Sequence, residues 1–192
     1  MLNTRLEYSG RWEIEYLNAK EDALNRNRFI PGGFRNVFLD IINQTESPIE
    51  RPLLPWLCFQ QWVHGDRLVA MPCLQIPRWL NSGGTAIVVQ VWIQGYRVDI
   101  AIVSRMVIEQ PKLVLVEIDG AYHQDPKQQM RDKLREKILR AAPNVLGLIR
   151  LTGAEVNANP RAAARKVAEY HAKVWGRESL PPDIPFSCRK EE

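Results

Sequence analysis

Two apolar stretches with carboxylates set into them govern what this chain can fold into. Tyr96–Val103 (YRVDIAIV) and Lys112–Asp119 (KLVLVEID) have the length and β-branched content of strands, yet Asp99, Glu117 and Asp119 stand where apolar residues belong. By the alternation of a strand, Arg97, Asp99 and Ala101 share one face, and Val98, Ile100 and Ile102 the other. In the second stretch Leu113, Leu115, Glu117 and Asp119 share a face, opposite Val114, Val116 and Ile118. The short link from Ser104 to Pro111 predicts that the two strands pair, which brings Asp99 and Glu117 side by side at the sheet's end. Gathered carboxylates raise one another's pKa unless a cation neutralises them. Hard divalent cations take oxygen ligands in this way, and Mg2+ keeps waters that substrate phosphates can replace.

A chain of 192 residues holds one domain of ordinary size with some chain to spare. A hydrophobic share of 45% is that of a globular protein, and no apolar run approaches the ~20 residues of a membrane span, so a membrane protein is not expected. The opening MLNTRLEYSGRWEIEY contains acids and no apolar core segment, which predicts no secretory signal. Cys58, Cys73 and Cys188 are widely spaced and odd in number; they form no zinc pattern and point to a reducing, cytoplasmic setting. A net charge of +4 is compatible with a polyanionic partner without requiring one.

Along the chain, residues 1–45 read as an extension packed on a core. Within them RWEIEYL is compatible with a short alternating strand, AKEDALNRN with a helix ending before Phe29, and Pro31-Gly32-Gly33 with a turn. Val37, Phe38, Ile41 and Ile42 have helical spacing. Ser47-Pro48-Ile49-Glu50 has the form of a capping box opening a helix that runs to Gly65, although Pro52 and Pro55 conflict with that start. Glu50 is therefore either a capping carboxylate or an acid at the mouth of the site. Residues 66–85 read as an irregular connection. AIVVQVWI follows as a strand buried on both faces, turned by Gln94-Gly95 into the first acid-bearing strand.

The helix expected from Pro126 to Ala142 places Met130, Leu134, Ile138 and Ala141 on the stripe facing the sheet. Lys127, Arg131 and Arg135 form a basic stripe, either a solvated face or a phosphate-contacting one. The strand VLGLIRL comes next, parallel to a neighbour by a right-handed crossover. Asn159-Pro160 caps a last helix with Ala163, Val167, Tyr170 and Val174 inward, ended by Gly176. The Pro-rich residues 177–192 read as an extended or disordered tail.

Helix, three-strand meander, helix and strand give the order αβββαβ, an α/β fold with a mixed central sheet flanked by helices. Over residues 47–172 the chain resembles the PD-(D/E)XK nuclease superfamily, and within it the branch related to very-short-patch-repair endonucleases. That branch carries an E-x-D-G-x-x-H signature, here Glu117 to His123, supported by SPIE at 47–50, YRVD at 96–99, RDKLR at 131–135 and LIRLTGAEV at 148–156. The resemblance implies a restriction-endonuclease-like domain over residues 46–176. It implies that Asp99, Glu117 and the Ile118 carbonyl hold Mg2+ or Mn2+. Asp119 stands where the superfamily usually has lysine, and His123 compensates as general base or proton relay. Arg131 and Arg135 neutralise phosphate charge, with Asp132 orienting Arg135 or His123.

The expected activity is metal-dependent hydrolysis of DNA phosphodiesters by an endonuclease of repair, restriction or mobile-element biology. The alternative is a nuclease-fold subunit, transposase-like or non-catalytic, acting within a larger nucleic-acid complex. DNA is the expected partner, with a protein partner or a homodimer also compatible. No phosphate-binding glycine loop is seen, so no nucleotide cofactor is expected.

Overall fold

The computed structural model describes residues 4–25, 34–45, 47–60, 62, 68–71, 84–105, 110–119 and 126–176. The opening helix α1, Thr4–Asn25, includes the RWEIEYL stretch, so no strand forms there. Trp12, Tyr16, Ala19 and Ala23 recur at helical spacing and are all buried, whereas Ile14 and Leu17 point outward. Over that longer window the helical stripe outweighs the brief alternation of Trp12, Ile14 and Tyr16. α2, Phe34–Gln44, buries Phe38, Ile41 and Ile42 as their spacing predicts.

The helix expected to begin at Pro48 and run to Gly65 is confined to α3, Leu53–Cys58. Before it the chain turns: Ser47 Oγ accepts from the Ile49 amide, and the Glu50 and Leu53 amides reach back three residues to the Ser47 and Glu50 carbonyls. Pro52 and Pro55 lack amide donors, so the helix opens at Pro52, where no donor is needed. Cys58 is free and buried, and desolvation pushes its thiol up.

The sheet has five strands in sequence order: β1 Leu68–Met71, β2 Gly84–Ile93, β3 Tyr96–Arg105, β4 Lys112–Asp119 and β5 Val145–Thr152. β1 falls in the stretch read as irregular; its four residues, followed at once by Pro72, leave no periodicity to detect. It pairs parallel with β2, β2–β3 and β3–β4 are antiparallel, and β5 lies parallel to β4. Gln94 and Gly95, both at positive φ, make the tight β2–β3 turn. The parallel return from β4 to β5 passes through α4, Pro126–Arg140. After β5, Thr152 and Glu155 form a reciprocal capping box at α5, Gly153–Ala158. Asn159 then caps α6, Pro160–Val174, by accepting from the Ala162 amide.

Two apolar layers flank the sheet. One gathers Trp12, Tyr16, Phe38, Leu54, Ile87, Ile100, Val116 and Val167 under α1, α2, α3 and α6. The other, with Val91, Val98, Ala101, Leu115, Leu148 and Leu139, lies under α4. α4 is turned from the expected orientation: Met130 and Leu134 are 76% and 57% exposed and Ala141 is exposed, while Leu139 and Ala142 are buried and Asp132, Arg135 and Glu136 half-buried. The sheet end beneath it carries Glu117, Asp119 and Arg150, so the helix turns charged groups toward charged groups and leaves Leu139 to fill the apolar remainder.

Val98 also departs from the parity expected of it. Val89, Ile100 and Ile102 belong to the larger layer, but Val91 and Val98 belong to the other. Between Val89 and Val91 stands Gln90 at φ 53, a left-handed residue that inverts the alternation at the point where Asp99 passes alongside. Among the described residues no helix is long and apolar enough to cross a membrane.

Candidate active site

Each of the four longer strands carries a polar residue among apolar neighbours at the same level of the sheet, and pairing sets these residues in a row. Gln90 on β2 lies between the Val89↔Ile100 and Val91↔Val98 pairs, which places it across from Asp99 on β3. The β3–β4 ladder runs from Ser104↔Lys112 to Ile100↔Val116, and the residues next in line are Asp99 and Glu117. Glu117 pairs directly with Arg150 on β5. The row thus reads Gln90, Asp99, Glu117, Arg150 and crosses the carboxyl ends of the parallel strands β4 and β5, where open α/β sheets bind ligands.

Asp99 is anchored: its Oδ2 accepts from the Ile118 amide at 2.8 Å, just past the end of the β3–β4 ladder. Burial raises its pKa above the ordinary aspartate value, and Asp119 adds to the rise; the Ile118 amide, Arg135 and Arg97 oppose it. Glu117 has a side chain only 5% exposed. Burial and then Asp99 push its carboxyl up to about 7, although Arg135 and Arg150 both pull it down. Burial outweighs the two guanidinium groups, so the carboxyl holds its proton near neutrality.

Arg135 reaches down from α4, donating from Nη2 to Glu117 Oε1 at 2.7 Å and to the Arg97 carbonyl at 2.5 Å. Arg150 lies among three acids, with Nη1 3.2 Å from Asp119 Oδ1, Nη2 4.0 Å from Glu117 Oε2 and Nε 3.7 Å from Glu136 Oε2. Glu50 is 3% exposed and accepts from Gln90 Nε2 at 2.8 Å. Its carboxylate thus meets the polar row through Gln90 and makes no capping box.

The structure therefore brings Asp99, Glu117, Asp119 and Arg135 together and joins Glu50 to them through Gln90. Arg131 is exposed on α4, while His123 and the Lys127 side chain lie outside the described residues, as do Gly120 of the signature and the 177–192 tail. The α4 basic stripe is divided: Arg131 faces outward, and Arg135 is drawn into the acids. Sequence reasoning missed Gln90, Arg150 and Glu136. The signal for the first two was the same one that marked Asp99 and Glu117, a polar residue inside an apolar strand, in VVQVW and LIRL.

Among the described residues no group of three or more His, Cys, Asp or Glu side chains is disposed to hold a metal ion. A set of two carboxylates with the Ile118 carbonyl is not such a group. Its all-oxygen donors are of the kind that a hard divalent cation takes. A cleft of about 480 Å3 elsewhere, between α1, α3 and the start of α6, is lined by Glu15, Asp22, Trp56, Asn159 and Arg161. In it Trp56 donates to Glu15, Arg161 pairs with Asp22 and Asn159 caps α6, structural roles that leave the acid row the stronger candidate. No protein-family model, no characterised protein and no solved structure matches the chain.

Proposed function

We propose that the chain is a divalent-metal-dependent endonuclease that hydrolyses DNA phosphodiesters on a restriction-endonuclease-like αβββαβ core. The observation that carries this reading is the pair of acids: Asp99 and Glu117 stand next in line beyond the last β3–β4 pair, Glu117 buried and Asp99 fixed by the Ile118 amide. Asp99 and Glu117, with the Ile118 carbonyl, would hold Mg2+ or Mn2+. Bound there, the ion would lower the pKa of an attacking water and stabilise charge on the phosphoryl oxygens. Asp99 is kept in place by the Ile118 amide, and Glu50 acts as a positioning residue by holding Gln90 across from Asp99. Arg131, exposed on α4, is free to meet the phosphate backbone, and the resemblance gives His123 the proton-relay role. Support also comes from the order of elements: apart from the short edge strand β1, which comes between α3 and β2, the elements α3, β2, β3, β4, α4 and β5 run helix, meander, helix, strand, with both acids at one end of the sheet.

The ion pairs themselves favour a second reading. Arg135 and Arg150 already contact Glu117 and Asp119, as they would in a nuclease-fold subunit that binds nucleic acid within a larger complex and cuts nothing. Cleavage of supercoiled, linear and single-stranded DNA in Mg2+, Mn2+ or EDTA separates the two. The wild type should cut with metal and stop in EDTA, and Asp99→Asn and Glu117→Gln should each abolish cutting while leaving the circular dichroism spectrum unchanged. Asparagine suits the test because its side-chain oxygen still accepts from the Ile118 amide. A wild type that binds DNA yet leaves every substrate intact would favour the subunit reading.

A further inference from the structure

Arg150 stands at the β5 end of the polar row, where Nη1 donates to both Asp119 oxygens, at 3.2 and 3.5 Å. Its three carboxylate neighbours stand at 3.2, 3.7 and 4.0 Å, all longer than the ~2.7–2.9 Å of a strong charge-assisted hydrogen bond. Arg135 is held on the Arg97 carbonyl and on Glu117 Oε1, and the second of these is an oxygen that a divalent cation at Asp99 and Glu117 would claim. Asp99 differs from both, because the Ile118 amide fixes it whatever occupies the site. The site therefore has one fixed acid and two guanidinium groups standing where a cation would stand.

We propose that Arg135 and Arg150 are exchangeable counter-ions: a divalent cation taken up by Asp99 and Glu117 releases them to the phosphodiester, so that cation and DNA bind with positive coupling. This rests on the nuclease reading above. Like charges a few ångström apart repel more strongly in a partly buried site than in water, so a doubly charged ion on Glu117 expels the nearby guanidinium groups. Their planar donors match two phosphate oxygens at once, and a phosphate beside the ion supplies the negative charge they have lost. α4 and β5 bring the two arginines to Glu117 from different elements, so a phosphate placed there is gripped from both sides.

Coupling is reciprocal: Ca2+ must raise DNA affinity by the factor by which DNA raises Ca2+ affinity. The test titrates Ca2+ by calorimetry with and without a short duplex, and titrates the labelled duplex by fluorescence anisotropy with and without Ca2+. The wild type should show a coupling factor of at least ~5, the lower end of ordinary allosteric coupling. Arg150→Gln should bind Ca2+ alone at least as tightly as the wild type, since a competing cation is gone, while its coupling falls toward one. Arg150→Lys should retain part of the coupling, and Arg135→Gln should repeat the Arg150→Gln pattern through the other element. With Ca2+ present, the salt slope of DNA binding should be shallower in Arg150→Gln than in the wild type by ~0.9 for the single lost contact. Wild-type Ca2+ and DNA binding that are both measurable but independent would overturn the exchange and leave the nuclease reading standing, as would weaker Ca2+ binding in folded Arg150→Gln. Failure of the wild type to bind Ca2+ at all would remove the metal site and with it both readings.

Discussion

Glu117 joins stability to the candidate chemistry. Its carboxyl titrates near 7 in the fold against an ordinary value of 4.5, with burial as the leading cause. Between those pH values the native chain binds more protons than the unfolded one, so this group's contribution to stability rises as pH falls from 7 toward 4.5. Above 7 the buried carboxylate is ionised and costs on the order of 3 kcal/mol in the absence of a bound cation. Glu117→Gln removes the titration. Comparing urea unfolding of the two chains at about pH 5 and about pH 8, the gap should move in favour of the wild type at the lower pH by ~2–3 kcal/mol. Glu155, pulled down to about 2 mainly by Lys166 and by Thr152, works in the opposite direction, but it is common to both chains and cancels in the difference. A gap that stays constant with pH would mean that Glu117 is ionised throughout.

Strands and helices show why some of this arrangement could be read in advance and some could not. The polar residues of β3 and β4 stood out because a carboxylate in a buried run has no packing reason to be there, and the turn residues between strands fixed their pairing. The face of α4 was misjudged because apolar spacing was the only guide, and Met130 and Leu134 follow it on the outward side. The inversion at Gln90 has no sequence mark, since glutamine seldom adopts positive φ. A second polar chain was also invisible: Thr85 on β2, Ser104 on β3 and His171 on α6 are buried and linked, Thr85 Oγ1 to Ser104 Oγ at 3.0 Å and Ser104 Oγ to His171 Nε2 at 2.9 Å. It binds the helix to the two antiparallel strands it crosses. Ser104→Ala takes that partner from both neighbours in a dry setting and should lower unfolding free energy by ~1–3 kcal/mol with an unchanged denaturant slope. Thr85→Val leaves the Ser104–His171 bond intact and should cost less; equal losses would mean that the two bonds do not act through Ser104.

The layers on either side of the sheet are unequal, and this bears on what the first 45 residues are. Among the described residues α4 alone covers one face, while α1, α2, α3 and α6 share the other in a single apolar cluster. Trp12 and Tyr16 of α1 stack near Phe38 of α2, with ring centroids 6.0 and 5.2 Å apart, and Tyr16 also lies 5.8 Å from Phe59 beyond α3. Polar ties follow the same route: Trp56 Nε1 donates to Glu15, and Arg161 on α6 pairs with Asp22. α1 therefore closes over the helices that cover the sheet; without it Trp56 and Leu57 would lose apolar cover on the face that carries Glu50. Trp12→Ala should cost ~3–5 kcal/mol. If α1 belongs to one cooperative unit with the sheet, the far-ultraviolet circular dichroism and tryptophan fluorescence transitions should stay coincident in that variant and shift together to lower urea. A first transition that removes helix signal alone, followed by a second at the wild-type midpoint, would show that residues 4–25 fold as an appendage and that the sheet with its acid row stands without them.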